Sequence, residues 1–424
     1  MNTVRVYQLN HLAPVLFQRL KEAQMEAARV WNLCMELHKD ARMTHARWPG
    51  RRELEQATKG KFALNAQTVQ QITHTFLANI ETTGKIRRQH PELRMKYPWR
   101  IKRFYPVKWP AQAVHKQAGR VVLPMGRGRP SLVLPITLPE HAGACTLVWN
   151  RGYALHVCIE VEEAEHAPGT AIATVDLGEI HLAAITTNTS AALLVTGRGI
   201  RSLKRQRSKQ LGHLAKKQSR CQKHSRRWKK LQCAKSKVSK RAERRIRDVR
   251  HKATRAVIDF CVEHKVGTLF IGNPHGVRSR DTGRHHNQRM SGWEYGKDID
   301  YLTHKSKQAR ISCFTGSERG TSSRCPRCGH RHKPRGRTWA CHACGFTGHR
   351  DLVGSINMHT LVFGTHPKFP RSFTYLRPGN PRRSSRADTP RSCLGQPTVQ
   401  PPIVDTVSPE TGHPVGVAQK PVPF

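Results

Sequence analysis

The sequence predicts an α+β multidomain protein: an N-terminal β-barrel with a helical insertion, then an α/β core interrupted by a four-cysteine zinc ribbon. Three observations predict it. Strand-like segments flank a long stretch of helical periodicity in the first half; a buried-strand pattern ending in aspartate opens the second half; and two Cys-x-x-Cys knuckles lie near its end. At 424 residues the chain has room for two or three domains, each with its own core.

Charge narrows the function classes. Lysine and arginine total 74 against 28 acidic residues, a net charge of +46. Self-repulsion of that size destabilises a lone chain and is relieved by a polyanion. Nucleic acid is the expected partner, bound with strong salt dependence as counterions leave the phosphates. A ribosomal or chromatin-like coat protein fits the composition equally well, so chemistry has to be argued from motifs. The N-terminus MNTVRVYQLNHLAP lacks a secretory signal, and no stretch approaches a membrane helix. The expected location is therefore the reducing cytosol. Eight of the 12 cysteines, at 34, 145, 158, 221, 233, 261, 313 and 393, are scattered and read as inert.

The elements follow in order. Val4 to Leu9 alternates as a strand. Leu16, Leu20, Ala23, Ala27, Val30, Cys34 and Leu37 make one apolar stripe of a long helix, and Val69, Ile72, Phe76 and Ile80 mark a second. Helix-on-helix packing accounts for both stripes. Between them and the next strands lie Lys96, Tyr97, Trp99 and Arg100, then Phe104 and Tyr105; aromatics mixed with bases suit stacking on nucleic acid, and equally suit half-buried packing. From about residue 104, short β segments at 121–123, 132–134, 145–149 and 153–161 alternate with Gly, Pro and Asn-Arg-Gly turns. Residues 201–256 hold 23 Lys/Arg against Glu243 and Asp248, with no proline. A charge run is usually a solvated face. This one leads into the apolar run 256–262, so a pair of docked helices with one phosphate-facing side is expected. The last 60 residues hold 12 of the 26 prolines and read as a disordered tail.

Three constellations carry chemistry. Cys325, Cys328, Cys341 and Cys344 form two knuckles, each followed by a glycine, with the spacing of a Zn²⁺ site. Four thiolates leave no vacancy for water, so such a site folds its segment without catalysing. Residues 171–186 read as a buried strand ending at Asp176, a Leu-Gly turn and a second strand. A carboxylate there is costly unless a cation or turn amides satisfy it; in ribonuclease-H-like nucleases that place holds a Mg²⁺ ligand. Asp351 opens a helix just past the knuckles, as an ordinary N-cap residue or as a second carboxylate for a metal.

An Asp-Leu-Gly strand, a basic helical stretch, a Thr-Ser-x-x-Cys-x-x-Cys-Gly ribbon and an Arg-Asp-x-x-x-Ser-x-Asn helix, in this order, resemble the TnpB family of insertion-sequence nucleases, relatives of the compact type V CRISPR effectors. The resemblance covers about residues 1–362, is most specific over 170–190 and 310–360, and leaves the tail unexplained; 26–32 also look like the family's first recognition helix. It implies a wedge-like barrel from 1–10 plus 104–168, a helical recognition insertion over 11–103, and an RNase H-like (RuvC) nuclease domain from 169–314 plus 346–364. The basic helices would span 201–262, the ribbon 315–345 and the tail 365–424.

The implied activity is RNA-guided endonuclease cleavage of double-stranded DNA beside a short adjacent motif, with a guide RNA from the transposon end and two Mg²⁺ ions about 4 Å apart. The protein would act as a monomer or dimer, and the basic helices would grip RNA through Arg205, Arg226, Arg227, Lys229, Arg244, Arg245, Arg247 and Lys252. Asp176 matches the family's first carboxylate and Asp351 its third. The second departs: Gly272 or Asn273 stands where the family has glutamate. Either Glu318, after the strand 311–314, supplies the acid from a neighbouring strand end, or the site is inactive and the protein is a guided DNA-binding repressor. Glu294 and Asp298 are weaker candidates. A transposase, or a transposase-accessory zinc-ribbon protein with no guide, is the third reading.

Overall fold

A computed structural model describes residues 1–378, apart from residues 151, 275–280, 282, 333 and 335. The first half follows the predicted order of elements. Strand β1 (Asn2–Leu9) leads into helices α1 (Pro14–Met43), α2 (Arg51–Thr58) and α3 (Ala66–Gln89). Proline at the first helical position starts α1, and the Asn65 side chain starts α3 by accepting the amides of Gln67 and Thr68. On α1, Leu20, Ala23, Ala27, Val30 and Cys34 are buried, with Leu16 and Leu37 packed at the margin; on α3 the buried set is Val69, Ile72, Phe76 and Ile80. Both stripes face the core as read.

Six strands follow: β2 (Val107–Trp109), β3 (His115–Gln117), β4 (Arg120–Leu123), β5 (Leu132–Leu134), β6 (Ala142–Trp149) and β7 (Tyr153–Glu160). They correct the expected barrel. The strands form two sheets, β1-β7-β6-β2 and β3-β4-β5, and among the described residues no pairing closes either one. Strands β2 to β5 are three or four residues long, too short to carry the tilt and stagger that closure demands. The core is completed by the helices instead: α1, α3 and both sheets share one hydrophobic cluster, in which Trp31 meets Phe76 edge to face and stacks on Tyr105.

The second half is built on a six-stranded mixed sheet. Strands β8 (Ala171–Asp176), β9 (His181–Thr187) and β10 (Ala192–Thr196) run antiparallel in succession. Helices α4 (Arg198–Ser219) and α5 (Arg226–Glu263) then carry the chain to β11 (Val266–Asn273), which lies parallel to β8. Helices α6 (Arg284–Gly292) and α7 (Tyr295–Gln308) lead to β12 (Ser312–Ser317), parallel to β11. After the hairpin β13 (Thr338–Ala340) and β14 (Thr347–His349) comes α8 (Arg350–Phe363), packed on β8 and β9. The sheet order is β12-β11-β8-β9-β10-β15, the last being β15 (Thr374–Leu376).

That edge strand corrects the tail boundary. Residues 374–376 pair in parallel with Leu193–Val195, and Phe369, Phe373 and Tyr375 pack on Ala184, Leu194 and Leu352. Aromatic burial outweighs the proline content up to that point; the rest of the expected 365–424 tail, from 379 on, lies outside the described residues. The basic segment does form two helices. The buried residues of α5 begin only at Ala242, so the first part of that helix runs beside α4, with Lys240 reaching the Asn150 carbonyl, while the remainder docks on the sheet.

Candidate metal centre

Three parallel strands, β8, β11 and β12, end on the same side of the sheet, and their ends define the site. Asp176 is the last residue of β8. Glu318 follows the last residue of β12, whose register sets Gly316 beside Gly272 and Ser317 beside Asn273. A Cβ built on Gly272 would lie 2.4 Å from Glu318 Oε2 and 3.1 Å from Glu318 Cβ. The carboxylate of Glu318 thus fills the space that a side chain at 272 would need. This is a physical reason for glycine where the TnpB pattern has glutamate.

Asp351 arrives from α8. That helix approaches β8 closely, because a Cβ on Gly354 would lie 2.4 Å from Asp176 Oδ2. The contact is pinned by a buried polar knot: Thr174, Thr186 and Ser355 exchange hydroxyl hydrogen bonds, and Ser355 Oγ donates to the Thr174 carbonyl at 2.8 Å. Asn357, on the next turn, donates to the Thr321 and Arg324 carbonyls at 2.6 and 2.7 Å. The Ser-x-Asn pair of the helix motif therefore fastens α8 to the sheet and to the start of the ribbon.

The electrostatics are those of crowded carboxylates. Burial, then the nearby charges of Glu318 and Asp351, push the Asp176 carboxyl well above its ordinary range. Burial pushes Glu318 up to about 7, and its Oε2 is enclosed with no hydrogen-bond partner among the described residues. Burial also opposes the charge of Asp351, but His181 and Arg337 hold it below the usual carboxylate range. His181 Nδ1 lies 2.6 Å from Asp351 Oδ2, and Arg337 Nη1 donates to both Asp351 oxygens at 3.0 Å. His349, beside them, caps α8 through Nδ1 and is pushed down to about 4, chiefly by burial. Among the described residues Asp176 and Glu318 form no salt bridge, although Arg350 and Arg337 act on Asp176 from a distance; an orphaned carboxylate oxygen between acids suits a hard divalent cation with oxygen ligands. The residues present fit Mg²⁺ at the Asp176–Glu318 pair; at Asp351 it would displace Arg337.

The four cysteines also converge, their sulfurs within 4.8 Å of one another. Cys325 and Cys344 Sγ are 3.7 Å apart, and Cys328 and Cys341 Sγ 3.5 Å, close to the edge of a tetrahedron with Zn–S bonds of about 2.3 Å. Gly329 and Gly345, at φ 75° and 67°, return their amides to the Cys325 and Cys341 carbonyls. Fully buried Trp339 packs with Cys325, Cys341 and Val353 of α8, and its Nε1 donates to Ser322 O. The four-cysteine cluster fits a zinc ribbon seated on the helix that carries Asp351.

The remaining candidates divide. Arg205, Arg226, Arg227, Lys229, Arg244, Arg245, Arg247 and Lys252 are all exposed on α4 and α5. Arg244 and Arg247, with Lys204, Arg207 and Lys240, line a cavity of about 500 Å³ between α4–α5 and the first sheet. Lys96 and Arg100 are exposed. Tyr97 and Trp99 stack on each other, meet Trp48, and receive the guanidinium groups of Arg87 and Arg42; their rings are occupied in packing, the bland alternative for that motif. Asp298 is buried against Arg250 at 2.9 Å, and Glu294 binds Lys204 and Lys297. Both acids stay with structural cations. Sequence reasoning missed His181 and His349, since single histidines beside a strand and a helix start carry no spacing signal.

Comparisons with known proteins agree with the family resemblance. The family model OrfB_IS605, described as a probable transposase, matches residues 156–278, and the Cas12f1-like TNB domain matches residues 295–358. No curated protein matches the chain. Among solved structures, a Cas12f1–sgRNA–target DNA complex is similar at 13% identity with a TM-score of 0.58, covering 81% of this chain and 82% of that one. The mini-RNA-guided endonuclease CRISPR-Cas phi3 is similar at 9% identity and TM-score 0.49, over 87% and 94%. The two family matches cover separate parts of the second half of the chain, and the Cas12f1 likeness shows a shared mixed α/β multidomain fold. Among the described residues no helix is long and apolar enough to cross a membrane.

Proposed function

We propose that this chain is an RNA-guided DNA endonuclease whose single metal-dependent site is formed by Asp176, Glu318 and Asp351. The observation that carries the reading is the arrival at adjoining strand and helix ends of two carboxylates with no salt bridge among the described residues and a third held by Arg337 and His181. The matched family models and the shared fold support it. Under this reading residues 169–314 plus 346–364 are the RuvC-like nuclease unit and 315–345 the zinc ribbon. Residues 11–103, with 1–10 plus 104–168, hold guide RNA from the transposon end and the heteroduplex, while protein groups read a short motif beside the target.

Two Mg²⁺ ions, when bound, supply an activated water and charge neutralisation at the leaving oxygen. The chain's own residues set the geometry. Asp176 is held rigidly by β8 and by the close approach of α8. Glu318 reaches across from β12 into the gap left by Gly272. Asp351 is oriented by His181 while Arg337 holds its charge until a stronger cation or a phosphate arrives. Exposed bases on α4 and α5 bind phosphates through charge, so affinity should fall steeply with salt.

The deciding experiment pairs the wild-type protein with Asp176→Ala, Glu318→Ala and Asp351→Ala in a plasmid assay with co-expressed RNA and Mg²⁺. Loss of cleavage in all three with RNA binding retained is expected; full cleavage by Glu318→Ala would remove that residue from the site. The second reading, a nuclease-inactive guided binder, is favoured by one observation: both Asp351 oxygens are engaged by Arg337. It predicts target binding with no cleavage by the wild-type protein. Purification without any discrete RNA would instead point to the unguided transposase reading.

A further inference from the structure

The proposed three-carboxylate site has two imidazoles beside it, each already bonded to Asp351. His181 opens β9 and is 5% exposed; His349 ends β14 immediately before α8. Their rings stand edge to face with centroids 5.0 Å apart. One nitrogen of each and one Asp351 oxygen all lie within 4.8 Å of one another. His349 Nδ1 accepts the Asp351 amide at 3.3 Å, which places the ring proton on Nε2, so Nδ1 binds an ion only by giving up that long cap bond. Two imidazoles and a carboxylate are a ligand set for borderline divalent transition metals, whereas Mg²⁺ prefers oxygen alone.

We propose that His181, His349 and Asp351 form a binding site for a divalent transition-metal ion of the Mn²⁺, Co²⁺ or Zn²⁺ class, adjoining the Asp176–Glu318 pair. It rests on the proposed nuclease reading only in sharing Asp351. Bonds of about 2.0–2.2 Å to nitrogen and oxygen set neighbouring ligands roughly 3 Å apart. The His181–Asp351 separation of 2.6 Å therefore has to open by a few tenths of an ångström as the Nδ1 proton leaves to solvent. Arg337 is the built-in competitor, donating to both Asp351 oxygens, with a side chain 45% exposed that is free to swing away. The site would be charged by the ion or by the guanidinium, in exchange. Asp176 and Glu318 contribute no ligand to it.

The test is a titration of the full-length, zinc-loaded chain with Co²⁺ in excess Mg²⁺, which fills the proposed all-oxygen Asp176–Glu318 pair. Calorimetry and the visible absorption of cobalt in nitrogen and oxygen coordination report binding, while thiolate charge-transfer bands report any exchange at the ribbon. One saturable site per chain is expected, at least tenfold weaker in His181→Asn and in His349→Asn. Asparagine at 349 keeps an oxygen able to accept the Asp351 amide, so the helix cap survives. Arg337→Ala should bind cobalt about tenfold more tightly. Unchanged affinity in the asparagine variants would show adventitious binding by others of the 25 histidines and overturn the proposal. Should those variants melt early, unchanged affinity in Arg337→Ala overturns it instead. Cobalt binding without DNA cleavage leaves this site standing and removes the nuclease reading; Mg²⁺-dependent cleavage without a cobalt site does the reverse.

Discussion

The ribbon and the proposed carboxylate site solve the same problem, holding together side chains able to bind a metal, in opposite ways. Four ribbon ligands come from the 20-residue span 325–344 and are set by two glycine turns. The acids come from positions 176, 318 and 351, across 351 − 176 = 175 residues, and are set by sheet register and by the approach of α8 to β8. A local site depends on spacing, so no cysteine can move. A site assembled by the fold requires only that an oxygen reach the right point, so its acid can come from the neighbouring strand, provided that Gly272 stays small. The two regions are also joined. Arg337, between the knuckles, binds Asp351, and Trp339 packs on Val353 of the same helix.

The comparison breaks most sharply at Asp176. Asp176→Ala should lower cleavage by at least about 10³-fold while leaving zinc content unchanged, measured by plasmid cleavage and metal analysis. Zinc removal by a chelator, or Cys341→Ser, should unfold the ribbon and cut cleavage by about 10²-fold, because Arg337 and Trp339 lose their positions against α8. Wild-type cleavage in apo-ribbon protein would show that the regions are independent. Gly272→Ala should cost about tenfold, since its Cβ would displace the Glu318 carboxylate and meet Met358 Sδ at 2.9 Å. In the Glu318→Ala background that carboxylate is gone, and Gly272→Glu should recover part of the lost cleavage. Failure of the pair to recover any activity would argue that the two positions do not serve one metal site.

Legibility in the sequence follows the same division. The cysteine quartet, the stripes of α1 and α3, and Asp176 at a strand end were readable because each is a local pattern. The open sheets were not, because closure is decided by which distant edges pair and by strands of three residues. Strand β15 was hidden by the prolines on either side of it, though Phe369, Phe373 and Tyr375 carried an apolar signal that outweighs them. Glu318 could be nominated from the strand before it, but nothing in one dimension showed that Gly272 makes room for its carboxyl. Tyr97 and Trp99 could stack on a base or on each other, and only neighbours such as Trp48, Arg42 and Arg87 decide between these.

The smallest expected effect sharpens the contrast through pH. Burial raises Glu318 from 4.5 to about 7 in the folded protein, so the folded state holds a proton that the unfolded state has released between those values. Metal-free protein therefore loses stability as pH rises from 4.5 to 7 and changes little above it. Mg²⁺ binds the ionised carboxylates and should offset that loss, raising the melting temperature by a few degrees at pH 8 and hardly at all at pH 5, as expected of a ligand that binds only the folded state. The thiolate site should respond the other way, holding zinc at pH 8 and releasing it as acid protonates its sulfurs. Differential scanning calorimetry of the zinc-loaded protein, with and without Mg²⁺, reads both trends. A Mg²⁺ shift equal at the two pH values, or one retained in Glu318→Gln, would mean that the cation binds somewhere other than the ends of β8 and β12.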